Sequence, residues 1–262
     1  RLDRKLDHRR RLTASPDGKR LAAVVKPGVL HLWEATTGEE ISRTVLGPQG
    51  GIWCLCFSPD GRRLACSGGV AGRGGKRPET RLLAGDTGRE LRRWDEHCWI
   101  DDLAFSPDGK TLAQVADRRI RLRDATTGQP ALRGPGLPDA VMSVGFTPDG
   151  KTLLASCRGG NTAFWDPLTG KQRRPFQAPP AAFAGRAPML LGTAFAADGS
   201  KAALVDARGV LHVWQPATGK ALCRIAEPPV GEDQAAFSPD GKVLVVKHQD
   251  HVIRLWDTGT GK

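Results

Sequence analysis

Phe105-Ser106-Pro107-Asp108-Gly109 is the stretch that decides the fold, because close copies of it recur along the 262 residues of the chain. Most copies keep a serine or threonine before Pro-Asp-Gly, and the most divergent one, Ala197-Asp198-Gly199, still keeps Asp-Gly. The Asp-Gly glycines are residues 18, 61, 109, 150, 199 and 241. A spacing of 41 to 49 residues along the whole chain is typical of a repeat architecture, in which each repeat is one small structural unit.

A second landmark, Thr-Gly, follows each Asp-Gly by 19 or 20 residues, except in the second unit, where the distance is 27. Short apolar runs such as 111–115 and 120–122 separate the two landmarks. These runs are too short for helices, and their residues alternate with a period of two, which favours strands. Pro107 presets the backbone for a turn, and Gly109 accepts the positive φ that the turn requires. Each unit is therefore predicted to be an antiparallel meander of four strands, a to d, with Ser-Pro-Asp-Gly between a and b and Thr-Gly between c and d.

The two kinds of connection lie at opposite ends of such a meander. The a–b and c–d turns share one end, which we call the constant end, and the b–c and d–a connections share the other, which we call the variable end. All large length differences fall at the variable end, as an insert at 68–78 and a Pro/Ala-rich stretch at 175–188. Variable loops on a rigid scaffold are where binding usually occurs. We therefore expect the protein to act through its variable end.

The last unit carries the fullest form of the pattern. It joins Phe237-Ser238-Pro239-Asp240-Gly241 to Ile253-Arg254-Leu255-Trp256-Asp257 and then to Thr260-Gly261. This pattern resembles a WD40 repeat, and nearly the whole chain follows it. The resemblance implies an all-β fold, a β-propeller of six four-stranded antiparallel blades closed by the N-terminal segment 1–7. Part of a seven-bladed ring is the alternative.

The chain is also expected to be part of a larger protein. We expect residues 1–262 to form one propeller domain, cut from a longer protein whose other domains are partners. The degenerate repeats resemble the WD40 arrays of bacterial multidomain proteins, which are joined to kinases, sigma-type factors or ATPases.

The resemblance assigns structural roles as well. It gives strand c tryptophans and turn aspartates as structural residues: Trp33, Trp165, Trp214, Trp256, Asp60, Asp108, Asp149 and Asp240. In the family, a histidine between strands d and a joins a hydrogen-bonded tetrad that includes the tryptophan. Here His97, and less clearly His8, lie near that place, and Arg123 stands where the third unit should have tryptophan. The tetrads are therefore expected to be mostly incomplete.

The bulk composition limits the classes of partner and compartment. The net charge is +11, which suits acidic partners, although an Arg-rich composition that serves ordinary solubility is the favoured explanation. Six cysteines lie mostly in apolar runs without metal-binding spacing. Reduced thiols in a cytoplasmic protein are the expectation. No targeting signal is recognisable, and no stretch is apolar enough for a membrane span.

A cationic rim at the variable end is the candidate binding site. Its basic members are on the insert, in b–c turns and at the end of a strand b: Arg73, Lys76, Arg77, Arg118, Arg119, Arg158 and Lys247. Trp53 and Trp99, near the starts of inner strands, complete a composition that is common in interaction hot spots. Separate solvated arginines are the alternative. We expect a protein or peptide partner, with acidic or phosphorylated ones favoured, and nucleic acid as an alternative although no helix is available to enter a groove.

Catalytic and cofactor motifs are weak by comparison. Residues 145–152 match a phosphate-binding loop, but they are a repeat turn that enters a strand rather than a helix. His248 and His251 lack partners at metal spacing. An enzyme or small-ligand sensor would need convergent groups at the inner-strand starts, where the candidates are Asp101, Asp102, Glu232 and Asp233. We therefore expect a non-catalytic protein with no cofactor and no metal.

Overall fold

A computed structural model of the chain forms two compact units, residues 1–134 and 135–262. The structure describes residues 12–26, 28–45, 51–72, 75–117, 119–136, 141–147, 149–157, 162–176, 192–196, 200–205, 210–215, 218, 220–225, 230–238, 241–248 and 252–262. Every regular element among them is a β-strand. The predicted all-β class is confirmed, whereas the closing segment 1–7 lies outside the described residues.

The first unit contains three antiparallel sheets of four strands. The first sheet is β1 (Leu12–Ala14), β2 (Arg20–Lys26), β3 (Val29–Glu34) and β4 (Glu40–Val45). The second is β5 (Ile52–Phe57), β6 (Arg63–Gly72), β7 (Gly75–Ala84) and β8 (Glu90–Asp95). The third is β9 (Ile100–Phe105), β10 (Thr111–Ala116), β11 (Arg119–Asp124) and β12 (Pro130–Gly136), the last of which runs through the unit boundary. Spatial order follows chain order in each sheet, so each is the predicted a–d meander.

The second unit repeats this arrangement. Its first sheet is β13 (Val141–Phe146), β14 (Leu153–Cys157), β15 (Thr162–Trp165) and β16 (Gln172–Phe176). Its second is β17 (Gly192–Phe195), β18 (Ala202–Val205), β19 (Leu211–Trp214) and β20 (Ala221–Ile225). Its third has three described strands, β21 (Val230–Phe237), β22 (Val243–His248) and β23 (Ile253–Asp257). Within the described residues, this last sheet therefore lacks a strand d.

The Ser-Pro-Asp-Gly turns have the predicted mechanism. In the third sheet the Gly109 N–H donates to the Ser106 carbonyl at 2.8 Å, and Gly109 has a φ of +69°. Ser106 Oγ donates to Asp108 Oδ1 at 2.6 Å, and this bond holds the pKa of Asp108 below its ordinary value. Asp60 and Asp149 accept the same bond from Ser58 and Thr147. The side chain and backbone thus satisfy each other within five residues, which makes the turn nearly independent of its context.

Apolar faces of neighbouring sheets form the core within each unit. One cluster in the first unit joins the first two sheets, through residues such as Leu30, Leu32 and Leu64. A second cluster joins the second and third sheets, through residues such as Leu82, Leu103 and Leu112. In the second unit, Leu211, Val213 and Leu244 belong to a further cluster. Fully buried leucines fix the sheets against each other, so the strand ends present a rigid surface.

The insert at 68–78 takes a form that the sequence did not indicate. Instead of a loop, its described residues continue β6 and β7 as a regular hairpin, paired from Arg63↔Ala84 to Gly72↔Gly75. We call the part beyond the flanking strands, Gly69–Gly72 with Gly75–Pro78, the hairpin arm.

Candidate functional site

Two tryptophans meet at the variable end of the first unit. The rings of Trp53 and Trp99 have centroids 4.1 Å apart at an interplanar angle of 67°, an edge-to-face contact. Trp53 belongs to β5, Trp99 immediately precedes β9, and the Trp99 side of the pair is 40% exposed. We call them the tryptophan pair. A partly exposed aromatic pair on a rigid scaffold has the composition and the rigidity of an interaction anchor.

Glycines form the support under the pair. A Cβ added to Gly69 would lie 2.5 Å from Trp99 Cζ3 and 3.2 Å from Trp53 Cη2. A Cβ added to Gly51 would lie 2.8 Å from Trp53 Nε1. Any larger residue at position 69 would push the rings away from the strand, so the glycine-rich start of the hairpin arm determines where the pair lies.

A β-bulge at the start of the inner strand helps to aim these residues. Ile52 pairs with Gly68 and Cys54 with Ser67, which leaves Trp53 as the extra residue of β5. In β9 the same shift leaves Asp101 as the extra residue, because Ile100 pairs with Ala116 and Asp102 with Val115. Asp101 is exposed, whereas Asp102 is buried and accepts a bond from the Leu103 N–H at 2.9 Å. Bulges of this kind re-aim side chains next to functional sites.

The other inner-strand carboxylates belong to the second unit. Glu232 and Asp233 are in β21, in the stretch between Val230 and Ala235 where the register shifts. Their side chains lie outside the described part.

The basic residues of the expected rim are described to different degrees. Arg119 begins β11, at the same end of the third sheet as Ile100, and is exposed. Lys76 and Arg77 are in β7, and Lys247 is in β22, but their side chains are not among those described. Arg73, Arg118 and Arg158 lie outside the described residues. The structure therefore brings Trp53 and Trp99 together, and it places Arg119 at their end of the unit.

A buried polar network lies beside this site, between the second and third sheets. The fully buried carboxylate of Glu96 accepts bonds at Oε1 from Thr80 Oγ1 (3.0 Å), Trp94 Nε1 (2.9 Å) and Gln114 Nε2 (2.7 Å). Arg123 Nη2 donates to the other oxygen, Oε2, at 2.9 Å. We call these five residues the Glu96 network. A buried charge that is paired and fully hydrogen-bonded holds its neighbours in one arrangement.

The network corrects an expectation about the tetrad. His97 was expected to be the tetrad histidine, but it is exposed, and the residue that enters the core is its neighbour Glu96. The physical reason is Arg123, because a cation at the tryptophan position needs a buried anion rather than a histidine. Arg123 also donates to Gln114 Oε1 at 2.8 Å and to the Gly128 carbonyl at 2.8 Å. The sequence signal was present, since an arginine in a buried strand position calls for an acidic partner.

The remaining residues expected to be structural lie in or near the cores. Trp165 and Trp214 are buried, Trp33 is partly buried and stacks on His31 at 5.3 Å, and Trp256 packs against the core cluster of the second unit. Asp240 lies outside the described residues.

Two further expectations concern the cysteines and metal binding. Cys54, Cys56, Cys66, Cys98 and Cys223 are free thiols. Burial raises the pKa of Cys66 to about 12 and also raises that of Cys54, so both behave as small apolar residues. Within the described ranges, no three His, Cys, Asp or Glu side chains come together as a metal site. The described residues also contain no helix of the length and hydropathy that a membrane span needs.

The fold and the site together define a class of protein: an all-β repeat protein whose four-stranded antiparallel sheets agree with the blades of a WD40 propeller. The family model for the WD domain, G-beta repeat, matches residues 39–72, 88–124 and 130–166. Three stretches of the chain therefore match the WD40 repeat model.

The chain is also similar in sequence to individual characterised proteins. The chain is 28% identical over 180 residues to eukaryotic translation initiation factor 3 subunit I of Aspergillus fumigatus, a match that covers 62% of this chain and 51% of the relative. It is 28% identical over 195 residues to the same subunit of Candida albicans, covering 66% and 53%. A third match, to the subunit of Scheffersomyces stipitis, has 30% identity over 116 residues and covers 43% and 31%. The chain spans about half the length of the first two relatives.

These comparisons bear on two of the expectations. The relatives are eukaryotic, so the expected likeness to bacterial arrays in particular gains no support from them. The family-model match and the similarity to an initiation factor subunit are the findings that bear on the expected absence of catalysis.

Proposed function

We propose that the protein is a non-catalytic interaction scaffold that binds a protein or peptide partner through the variable end of its first unit. The observation that carries this proposal is the tryptophan pair, held in edge-to-face contact over Gly69 with Trp99 40% exposed. Exposed tryptophan on a rigid support is the residue type most enriched in the energetic centres of protein interfaces. The similarity to a subunit of translation initiation factor 3 supports a role as one component of a larger protein assembly.

An acidic partner, including a phosphorylated one, is the form of ligand that the charge favours. The chain carries +11 overall, and Arg119 is exposed at the same end as the pair. Complementary charge accelerates encounter and selects partners more than it adds affinity. The remaining basic residues of the expected rim, including Lys76 and Arg77, are part of this proposal. We also propose a location for the protein, because the free thiols of its described residues favour a reducing compartment such as the cytoplasm.

The test compares partner recovery by three tagged proteins. One is the unchanged chain, one is Trp53→Ala/Trp99→Ala, and one is Leu168→Ala, which removes an 84% exposed apolar side chain from a constant-end turn. Proteins recovered with the unchanged chain and with Leu168→Ala, but depleted at least about tenfold with the double variant, support the proposal. Equal recovery by all three contradicts it. Recovery of nucleic acid with a steep salt dependence instead would favour the polyanion-binding alternative.

We also propose that the sheets are blades of one propeller domain, and that residues 1–7, which lie outside the described residues, contribute to its stability. The support is the three-stranded sheet β21–β23, which lacks a strand d among the described residues. Deleting residues 1–7 should then lower the thermal midpoint of unfolding. A midpoint unchanged by the deletion would favour a ring completed by another part of the parent chain.

A further inference from the structure

The hairpin arm extends beyond the strands that flank it. β5 pairs with β6 only as far as Gly68, and β8 pairs with β7 only as far as Glu79. Four residue pairs, from Gly69↔Pro78 to Gly72↔Gly75, continue past them, which is roughly 10–13 Å of ribbon at about 3.3 Å per residue. In the described part of the chain, no strand pairs with either outer edge of the arm.

The two edges of the arm differ in their capacity to pair. The β7 edge carries Lys76, Arg77 and Pro78, and lysine and proline are the residues that proteins use to block edge strands. The β6 edge is Gly69-Val70-Ala71-Gly72, with no charge and no proline. An edge without lysine, proline or charge lacks the features with which proteins block strand addition. Any added strand is therefore expected on the β6 side.

The backbone groups on that edge can be assigned from the bonds at its base. The Gly69 N–H donates to the Gly51 carbonyl at 2.9 Å, so residue 69 directs its backbone groups away from β7. The Glu96 N–H donates to the carbonyl of Pro78, the residue paired with Gly69, at 2.9 Å. The Pro78 carbonyl therefore points away from β6, toward the outer side of β7. Because direction alternates along a strand, Ala71 also directs its N–H and C=O outward on the β6 edge, and Lys76 directs its own outward on the β7 edge.

The tryptophan pair lies next to this edge. Both rings pack against Gly69, the first residue of the arm. A strand that pairs with Ala71 would therefore place every second side chain on the face where Trp53 and Trp99 lie. In strand addition, main-chain bonds supply affinity and the contacts of alternate side chains supply specificity.

We propose that the β6 edge of the hairpin arm is a strand-addition site for an extended acidic segment of a protein partner. The proposal rests on the proposed function, whose surface it shares, and names how the partner is recognised. Charge complementarity favours an acidic segment, because residues 69–78 contain three basic residues and no acidic one. Alternate apolar residues of the segment would contact the tryptophan pair.

The experiment uses a capped peptide of alternating Glu and Val, about eight residues long, titrated into the intact chain. Amide exchange is followed at Ala71 and Lys76. Binding should protect the Ala71 amide and leave the Lys76 amide unchanged. Ala71→Pro removes the N–H on the β6 edge without removing a bond to β7, and it should weaken peptide binding by about tenfold or more.

The matched control is Lys76→Pro, which removes the N–H from the opposite edge at the same residue pair. Lys76→Ala accounts separately for the lost charge, and Lys76→Pro should bind the peptide as Lys76→Ala does. Absence of peptide binding, or equal affinity of Ala71→Pro and the unchanged chain, would overturn the proposal. If Ala71→Pro still recovers partners that Trp53→Ala/Trp99→Ala loses, strand addition is wrong and the interaction surface stands. If neither variant loses partners, both proposals are wrong.

Discussion

Arg123→Met should lower the free energy of unfolding by about 3 kcal/mol, because it leaves a buried carboxylate without its closest cation. The Glu96 side chain has no exposed surface, and Arg123 Nη2 lies 2.9 Å from its Oε2. Removing one partner of a buried pair typically costs about 3–5 kcal/mol. Arg121 Nη1 remains 3.9 Å from the same oxygen and its side chain is 26% exposed, so the remaining attraction places the expected cost at the lower end.

A double-mutant cycle separates the charge from the packing. Glu96→Gln keeps an amide oxygen for the Thr80, Trp94 and Gln114 donors but removes the charge. Glu96→Gln/Arg123→Met should therefore be more stable than Arg123→Met alone by about 1–2 kcal/mol. Urea unfolding followed by tryptophan fluorescence gives the free energies, and amide exchange in β10 and β11 locates the loss.

The control is Arg93→Met, which removes an exposed arginine that pairs with Glu90 at 3.8 Å on the surface. A surface pair contributes about 0–1 kcal/mol. If Arg123→Met costs no more than Arg93→Met, or if the two changes of the cycle are additive, then the Glu96 network does not stabilise the junction between the second and third sheets.

Three further predictions concern other parts of the molecule. Gly69→Ala should shift the tryptophan pair and reduce partner recovery, because its Cβ would lie 2.5 Å from Trp99 Cζ3. The control is Gly259→Ala, whose Cβ meets only Asp257 at 3.3 Å. Unchanged recovery by Gly69→Ala would contradict the support role of Gly69. Ser106→Ala should destabilise the protein more at neutral pH than at pH 3, because the hydrogen bond from Ser106 holds the pKa of Asp108 below its ordinary value near 3.8. The stability that this bond contributes is fully present above pH 3.8 and is lost as the pH falls through the lowered pKa of the folded state. Equal destabilisation at both pH values in urea titrations would refute this. Cys54 and Cys66 should react with a thiol reagent far more slowly than Cys98, because both are buried and burial raises the pKa of each thiol. Peptide mapping by mass spectrometry gives the reaction rates. Similar rates for all three cysteines would contradict this prediction and show that the core opens readily.

Local chemistry could be predicted from the sequence, whereas long-range contacts could not. The left-handed glycine of the Ser-Pro-Asp-Gly turn, Gly109, follows from its own neighbours and has the expected positive φ. Arg123 and Glu96 are 27 residues apart, and repeat spacing does not say which side chains meet across two sheets. An arginine at a buried position indicates only that an acid must lie nearby, and either Asp95 or Glu96 would have satisfied that requirement.

The candidate site shows the same division. Trp53 and Trp99 could be placed at the variable end because each lies near the start of an inner strand. Their contact depends on the bulge that makes Trp53 the extra residue of β5 and on the absence of a side chain at Gly69. The insert was placed among the variable loops because of its length and position, yet pairing between β6 and β7 continues through its described residues and extends the hairpin.

Binding of partners through the tryptophan pair at the variable end is the function that we propose. The most direct measurement is the recovery of partners by Trp53→Ala/Trp99→Ala relative to Leu168→Ala, with thermal unfolding of both to show that each remains folded. We expect the double variant alone to lose its specific partners. Retention of the same partners by a folded double variant would contradict it.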